Sequence, residues 1–159
     1  MKKATTTVKE VLEGKFNGAY VYEIHYNNLC FYVGMTLTNV KERFKTHMAK
    51  YYGIKKYPDR PNCQEIVCEH KDLKFKCTGR QTRGFRTIRE LGVEFDFLNA
   101  PVVLHQFSET KLNDYDTDLG RLTNKFYIQK YEDELIEKLE PLANDETVHL
   151  AESKLKGRI

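Results

Sequence analysis

The stretch from Gly18 to Gly34 leaves this chain few choices of fold. Val21-Tyr22-Glu23-Ile24-His25-Tyr26 and Leu29-Cys30-Phe31 are rich in β-branched and aromatic residues, and Asn27-Asn28 between them tolerates positive φ. This is the pattern of one tight β-hairpin, flanked by Gly18-Ala19-Tyr20 and Tyr32-Val33-Gly34. With a two-residue turn, Tyr26 pairs with Leu29 and Tyr20 falls opposite Met35, which puts Tyr20 and Tyr32 on opposite faces. An odd loop or a single bulge shifts the count by one and brings both hydroxyls to the same side. That irregularity is expected here, with both hydroxyls opening into one cleft.

The next segment predicts a helix. Asn39-Val40-Lys41-Glu42 reads as a capping box, and Val40, Phe44, Met48 and Tyr51 recur at helical spacing as its buried stripe. Arg43 and His47 lie four apart and therefore share one face along the edge of that stripe.

A second informative helix spans 125–139. At about 100° per residue, Ile128, Leu135, Ile136 and Leu139 all fall within roughly 60° of Glu132. Glu132 is thus a carboxylate on an apolar face, where an ionised group needs a partner or a metal to offset its desolvation. Asp133, Glu134, Glu137 and Glu140 project at wider angles and read as the solvated side.

Together these segments resemble the GIY-YIG nuclease superfamily. Gly18-Ala19-Tyr20 and Tyr32-Val33-Gly34 stand where its two triplets would, with alanine and valine replacing the isoleucines. The helix carrying Arg43 and His47 looks like that of the restriction-enzyme branch. Glu132, Leu135-Ile136, Pro141 and Asn144 match the closing pattern, in which a metal-binding glutamate precedes a Leu-Ile pair, a proline ends the helix and an asparagine follows. The resemblance implies an α+β fold, a small three-stranded antiparallel sheet flanked by helices. It further implies a single domain over 1–159, its core at about 17–52 and 100–145.

Composition agrees with one compact domain: 159 residues, 40% hydrophobic and 12% aromatic. No apolar run reaches the length of a membrane span and the N-terminus lacks the apolar stretch of a signal peptide, so a cytoplasmic protein without membrane contact is expected. The net charge of +3 is small, but its distribution is uneven. Residues 71–90 carry a balance of +5 and residues 132–146 one of −6, which suggests a basic surface for phosphates and an acidic one turned away from them.

The basic residues belong to an arginine-rich insertion, about 53–99, between the first core helix and the third core strand, Val102 to Phe107. It opens with a proline-marked loop, Tyr57 to Asn62. Short strands are suggested at 64–68 and 73–77, then a helix by Phe85, Ile88 and Leu91, closed by Gly92. Lys74, Lys76, Arg80, Arg83, Arg86 and Arg89 are the expected DNA-binding residues, a solvated helix being the bland alternative. Cys63, Cys68, His70 and Cys77 lack a tight Cys-x2-Cys knuckle, so reduced cysteines are expected in preference to zinc ligands. Pro58-Asp59 with Glu69-His70-Lys71 makes a passable version of the other large nuclease signature, but its separation is short and Asp59 sits in a proline-flanked loop. His25, His70, His105 and His149 carry no motif and read as strand, loop or surface residues.

The function implied by the resemblance is a divalent-metal-dependent endonuclease acting on double-stranded DNA. Glu132 would bind one Mg²⁺, with Mn²⁺ as the substitute ion. Tyr20, activated by His47 or by the field of the metal, would deprotonate or orient the attacking water; a free tyrosine, with a pKa of about 10, cannot do so unaided near neutrality. Arg43 would clamp the phosphate with its planar fork. Tyr32 would bond the phosphate or its water network, and Asn144 would fix the local backbone or the substrate geometry. Fifteen residues follow Asn144, too few for the separate DNA-binding domain of homing enzymes. A compact type II restriction endonuclease or a stand-alone phage or mobile-element nuclease fits best, and cutting a palindrome would call for a homodimer or two sequential nicks. The alternatives are a non-catalytic DNA-binding module retaining the fold and a structure-specific repair nuclease.

Overall fold

The computed structural model describes residues 1–52, 54–55, 65–70, 73–78, 96–112 and 119–144; for 49–50, 54–55, 65–70, 73–78 and 119–124 it describes the backbone alone. It is an α+β arrangement built on a four-stranded antiparallel sheet. In chain order the elements are β1 (Lys2–Thr7), α1 (Val8–Glu13), β2 (Ala19–Tyr26), β3 (Leu29–Thr36), α2 (Val40–Tyr52), β4 (Ile54–Lys55), β5 (Glu65–His70), β6 (Leu73–Thr78), β7 (Pro101–Ser108) and α3 (Leu119–Leu139).

The main sheet runs β1-β7-β2-β3, one strand more than the three expected. The additional strand is β1, which pairs with β7 from Lys2 opposite Gln106 to Thr7 opposite Pro101. Its sequence, Lys-Lys-Ala-Thr-Thr-Thr, has no apolar alternation to announce a strand. It suits a sheet edge, where threonine favours extended backbone and lysine discourages further pairing. Thr7 then caps α1 by accepting from the Glu10 amide at 3.2 Å.

The central hairpin closes through Asn27 and Asn28, both at positive φ (44° and 66°), as a two-residue turn. Tyr26 pairs with Leu29 and His25 with Cys30, after which the register slips and Ile24 pairs with Tyr32. Phe31 is the extra residue of this bulge. Tyr20, Tyr22, Ile24, Phe31 and Tyr32 consequently pack in the same core, while Ala19, Val21, Cys30 and Val33 pack in the other. Gly18, at φ 121°, starts the hairpin where a Cβ would collide with the Ser108 carbonyl.

Helices cover both faces. On one, α1 contributes Val8, Val11 and Leu12, and α2 buries Val40, Phe44, Met48 and Tyr51 as its spacing predicts. Asn39 caps α2 by accepting from the Lys41 amide at 2.8 Å. On the other face lies α3, which starts six residues before the expected position and presents Ile128, Tyr131, Leu135, Ile136 and Leu139 to the sheet. Glu140 ends α3 in the left-handed conformation (φ 45°), its amide bonded to the Ile136 carbonyl at 2.9 Å, and Pro141 prevents further helix.

The segment that follows is tied to β3, which forms the sheet edge. Leu142 and Ala143 donate their amides to the carbonyls of Cys30 and Phe31, at 3.1 and 2.8 Å. The bulge would otherwise leave those carbonyls without a strand partner.

In the segment between α2 and β7, β4, β5 and β6 form a separate three-stranded sheet in that order, so the two short strands expected there are present. Lys74 and Lys76 fall on β6, opposite Glu69 and Val67. Cys68, His70 and Cys77 lie on β5 and β6, while Cys63, Asp59 and Lys71 lie outside the described residues. The expected helix around Phe85 to Gly92, with Arg80, Arg83, Arg86 and Arg89, also lies outside them. Among the described residues no helix is long and apolar enough to cross a membrane.

Candidate active site

Where α2 crosses the hairpin, two tyrosines, a histidine and an arginine meet. His47 is buried in the helix–sheet interface, and its Nε2 lies 2.6 Å from the Tyr22 hydroxyl. The Tyr32 ring stands edge-on to the imidazole with centroids 4.8 Å apart, and 6.3 Å from the Tyr22 ring. Phe44, one turn before His47, packs edge-on against Tyr22 at 5.0 Å. Gly34 makes this packing possible. It pairs with Tyr22 across the hairpin, and a Cβ there would come within 2.5 Å of the Tyr22 hydroxyl oxygen and 2.6 Å of Cζ. The glycine of the second triplet thus leaves room for the tyrosine opposite.

Arg43 keeps much of its side chain exposed while its guanidinium lies in the field of Tyr22, Tyr32 and Glu132. The hydroxyl of Tyr22 is pushed up from its ordinary value by burial and by Tyr32, with Arg43 opposing. Tyr32 is raised too, by burial first and also by Glu132, again against Arg43. Both phenols are therefore protonated near neutrality, and Arg43 is the group that favours their ionised forms.

Glu132 comes to this cluster from α3. Its Oε2 is buried with no hydrogen-bond partner. Burial and the neighbouring Asp133 raise its carboxyl to about 7, with Gln129 and Arg43 pulling the other way. Asp133, Glu134 and Glu137 are exposed, as the helical projection predicts. A buried, unsatisfied carboxylate oxygen is chemically suited to hold one hard cation that takes its remaining ligands from water. Asn144 holds the backbone beside the site: Oδ1 accepts from the Val33 amide at 2.9 Å and Nδ2 donates to the Val33 carbonyl at 2.8 Å. This amide takes the place of the next strand on the β3 edge.

Of the six expected catalytic residues, Tyr32, Arg43, His47 and Glu132 converge, and Asn144 braces the strand that bears Tyr32. Tyr20 does not join them. It lies on the expected face, but its hydroxyl accepts from Gln106 Nε2 at 2.9 Å and the charge beside it is Glu109. Tyr22, two residues along the same face, occupies the position by His47. The physical reason is register: with the bulge at Phe31, the residue opposite Gly34 is Tyr22, and Tyr20 falls opposite Thr36, beyond the α2 crossing. Placing the bulge and asking which aromatic lies over the glycine would have singled out Tyr22.

A second polar chain lies on the other face. His105, buried on β7, bonds Glu23 Oε2 through Nε2 at 2.5 Å, and the Tyr131 hydroxyl bonds its Nδ1 at 2.9 Å. His25 reaches the other Glu23 oxygen at 3.1 Å. Burial alone would raise Glu23, but hydrogen bonds from His105 and then His25 outweigh it and hold the carboxyl at about 2. His25 on β2 and His105 on β7 are strand residues as expected, and both bond Glu23. Their signal in the sequence was Glu23 itself, a carboxylate alternating with Ala19 and Val21 on an apolar face. No protein-family model, curated protein or solved structure matches this chain.

Proposed function

We propose that the chain is a divalent-metal-dependent endonuclease of double-stranded DNA with a GIY-YIG type of active site. The observation that carries this reading is the buried, unpartnered Oε2 of Glu132 facing Arg43, Tyr32 and the Tyr22–His47 pair. Phosphodiester hydrolysis needs an in-line water relieved of its proton, a cation on the phosphate and a stabilised leaving oxygen. A Mg²⁺ or Mn²⁺ ion held by Glu132 would polarise the phosphate and stabilise the departing oxygen.

The chain's own groups supply the rest. With the substrate's water admitted to its hydroxyl, which is fully buried in the free protein, Tyr22 would take a proton from that water while passing its own to His47 Nε2, a coupled transfer that avoids a free phenolate. Arg43, beside Tyr22, stabilises negative charge on the phenol oxygen as it develops and offers its fork to the phosphate. Tyr32 orients the phosphate or its water. Tyr20 supports the strand through Gln106 and takes no part in the chemistry. The basic residues Lys74, Lys76, Arg80, Arg83, Arg86 and Arg89 are proposed to hold the DNA, and a restriction-type or stand-alone phage or mobile-element role fits best.

The test is incubation with supercoiled plasmid in Mg²⁺, with and without chelator, followed by mapping of the ends. Cleavage that chelator abolishes, and that Glu132→Gln lacks while still retarding DNA on a gel, is the expected result. Intact DNA that is nevertheless retarded by the wild-type protein would favour a non-catalytic binding module.

A further inference from the structure

The polar chain on the second face has no role in the reaction above, yet Glu23 and His105 at its centre are buried, and burying a carboxylate with an imidazole costs more than an apolar core of the same size unless every group is satisfied. Its hydrogen-bonding sense follows from its chemistry. Glu23 accepts at both oxygens, so His105 donates to it through Nε2, and the Tyr131 hydroxyl bonds the other ring nitrogen, Nδ1. His105 is thereby a directional link between the carboxylate on β2 and the hydroxyl on α3.

The two ends of this link are sequence neighbours of the active-site groups. Glu23 follows Tyr22, whose hydroxyl meets His47 on the opposite face, and Tyr131 precedes Glu132. Apolar contacts of Ile128, Leu135, Ile136 and Leu139 press α3 onto the sheet, but such contacts are non-directional and leave rotation and sliding of the helix weakly defined. Half a turn of rotation would carry Glu132 out of the interface. A bond from a specific hydroxyl to a specific ring nitrogen removes that freedom one residue from the carboxylate that must be aimed.

We infer that Glu23, His105 and Tyr131 form a positioning latch that sets the rotation and height of α3 and so aims Glu132 at its metal. The inference rests on the nuclease reading only for the identity of the ion. Tyr131 is a positioning residue here, and its ring would stay packed on His105 and Phe107, at centroid distances of 5.3 and 5.1 Å, if only the hydroxyl were removed.

The experiment measures Mn²⁺ binding to the full chain by calorimetry without DNA, alongside plasmid cleavage as a function of Mg²⁺ concentration. Tyr131→Phe is expected to weaken Mn²⁺ binding by roughly tenfold or more and to raise the Mg²⁺ needed for half-maximal cleavage by the same factor, as loss of an outer partner does at other metal sites. DNA affinity in chelator should not change. His105→Leu should do the same, and His105→Gln, whose amide can donate to Glu23 and accept from Tyr131, should recover most of the loss. A Tyr131→Phe or His105→Leu protein with a lower melting temperature but unaltered Mn²⁺ affinity would reduce the chain to packing and overturn the latch. A wild-type protein that binds Mn²⁺ but leaves DNA intact would remove the nuclease reading, and weaker Mn²⁺ binding by Tyr131→Phe would then still support the latch. A wild-type protein that binds no Mn²⁺ would overturn both.

Discussion

A carboxyl held at about 7 in the folded protein keeps its proton where the same group in the unfolded chain, at 4.5, has lost it. Between those two values folding takes up a proton, so the contribution of Glu132 to stability is complete below 4.5 and is lost as the pH rises through 7. Glu132→Gln cannot ionise. The melting temperature of the wild type should therefore fall relative to this variant across that window, by an amount equivalent to roughly 1–2 kcal/mol once partial solvent exposure is discounted. A difference that does not vary with pH would place the carboxyl in water. Tyr22 invites a cleaner comparison of residues. On the nuclease reading, Tyr22→Phe removes the hydroxyl beside His47 and should lower kcat by about 10²–10⁴. Tyr20→Phe forfeits the Gln106 hydrogen bond and should cleave nearly as well as the wild type. Equal losses in the two would return Tyr20 to the site.

At the scale of elements, the hairpin and the turn after α3 depend on each other. The bulge at Phe31 aims Tyr32 into the site, and β3, as the sheet edge, lacks the partners a further strand would provide. Residues 142–144 supply them, with two backbone amides and the Asn144 carboxamide. Asn144→Ala leaves the Val33 amide and carbonyl unsatisfied at a half-buried position. It should lower the unfolding free energy in urea by about 1–3 kcal/mol. Asn144→Asp keeps the acceptor for the Val33 amide but loses the donor and points a carboxylate oxygen at the Val33 carbonyl, so it should not restore stability. Recovery by aspartate would show that the Nδ2 bond contributes nothing.

For the molecule as a whole, the main sheet separates two polar sites and the strand β2 serves both, Tyr22 on the α2 side and Glu23 on the α3 side. The segregation of charge is the counterpart at larger scale: residues 71–90 carry +5 and residues 132–146 carry −6. If DNA lies along the basic segment, changing any two of Arg80, Arg83, Arg86 and Arg89 to alanine should weaken binding and reduce the slope of log affinity against log salt by roughly one unit for each phosphate no longer neutralised. Circular dichroism should show the core intact. An unchanged salt slope would put the DNA on another surface.

The amino-acid sequence alone determined the local structure. It specified the Asn27-Asn28 turn and the need for an irregularity between the two tyrosines. It also specified the capped helix with Arg43 and His47 on one face, and the isolation of Glu132 on the apolar side of α3. Each of these depends on period, cap or turn chemistry within a few residues. Tertiary structure decided what those local features meet. The N-terminal strand became visible only against β7, because a Thr-Lys edge has no apolar period of its own. Tyr22 rather than Tyr20 stands by His47 because α2 crosses the hairpin at the Tyr22–Gly34 pair, two residues along β2 from Tyr20. His105 and Tyr131, 26 positions apart, became one hydrogen-bonded chain with Glu23 because a buried carboxylate must find donors, and which donors reach it is settled by how α3 packs across the sheet.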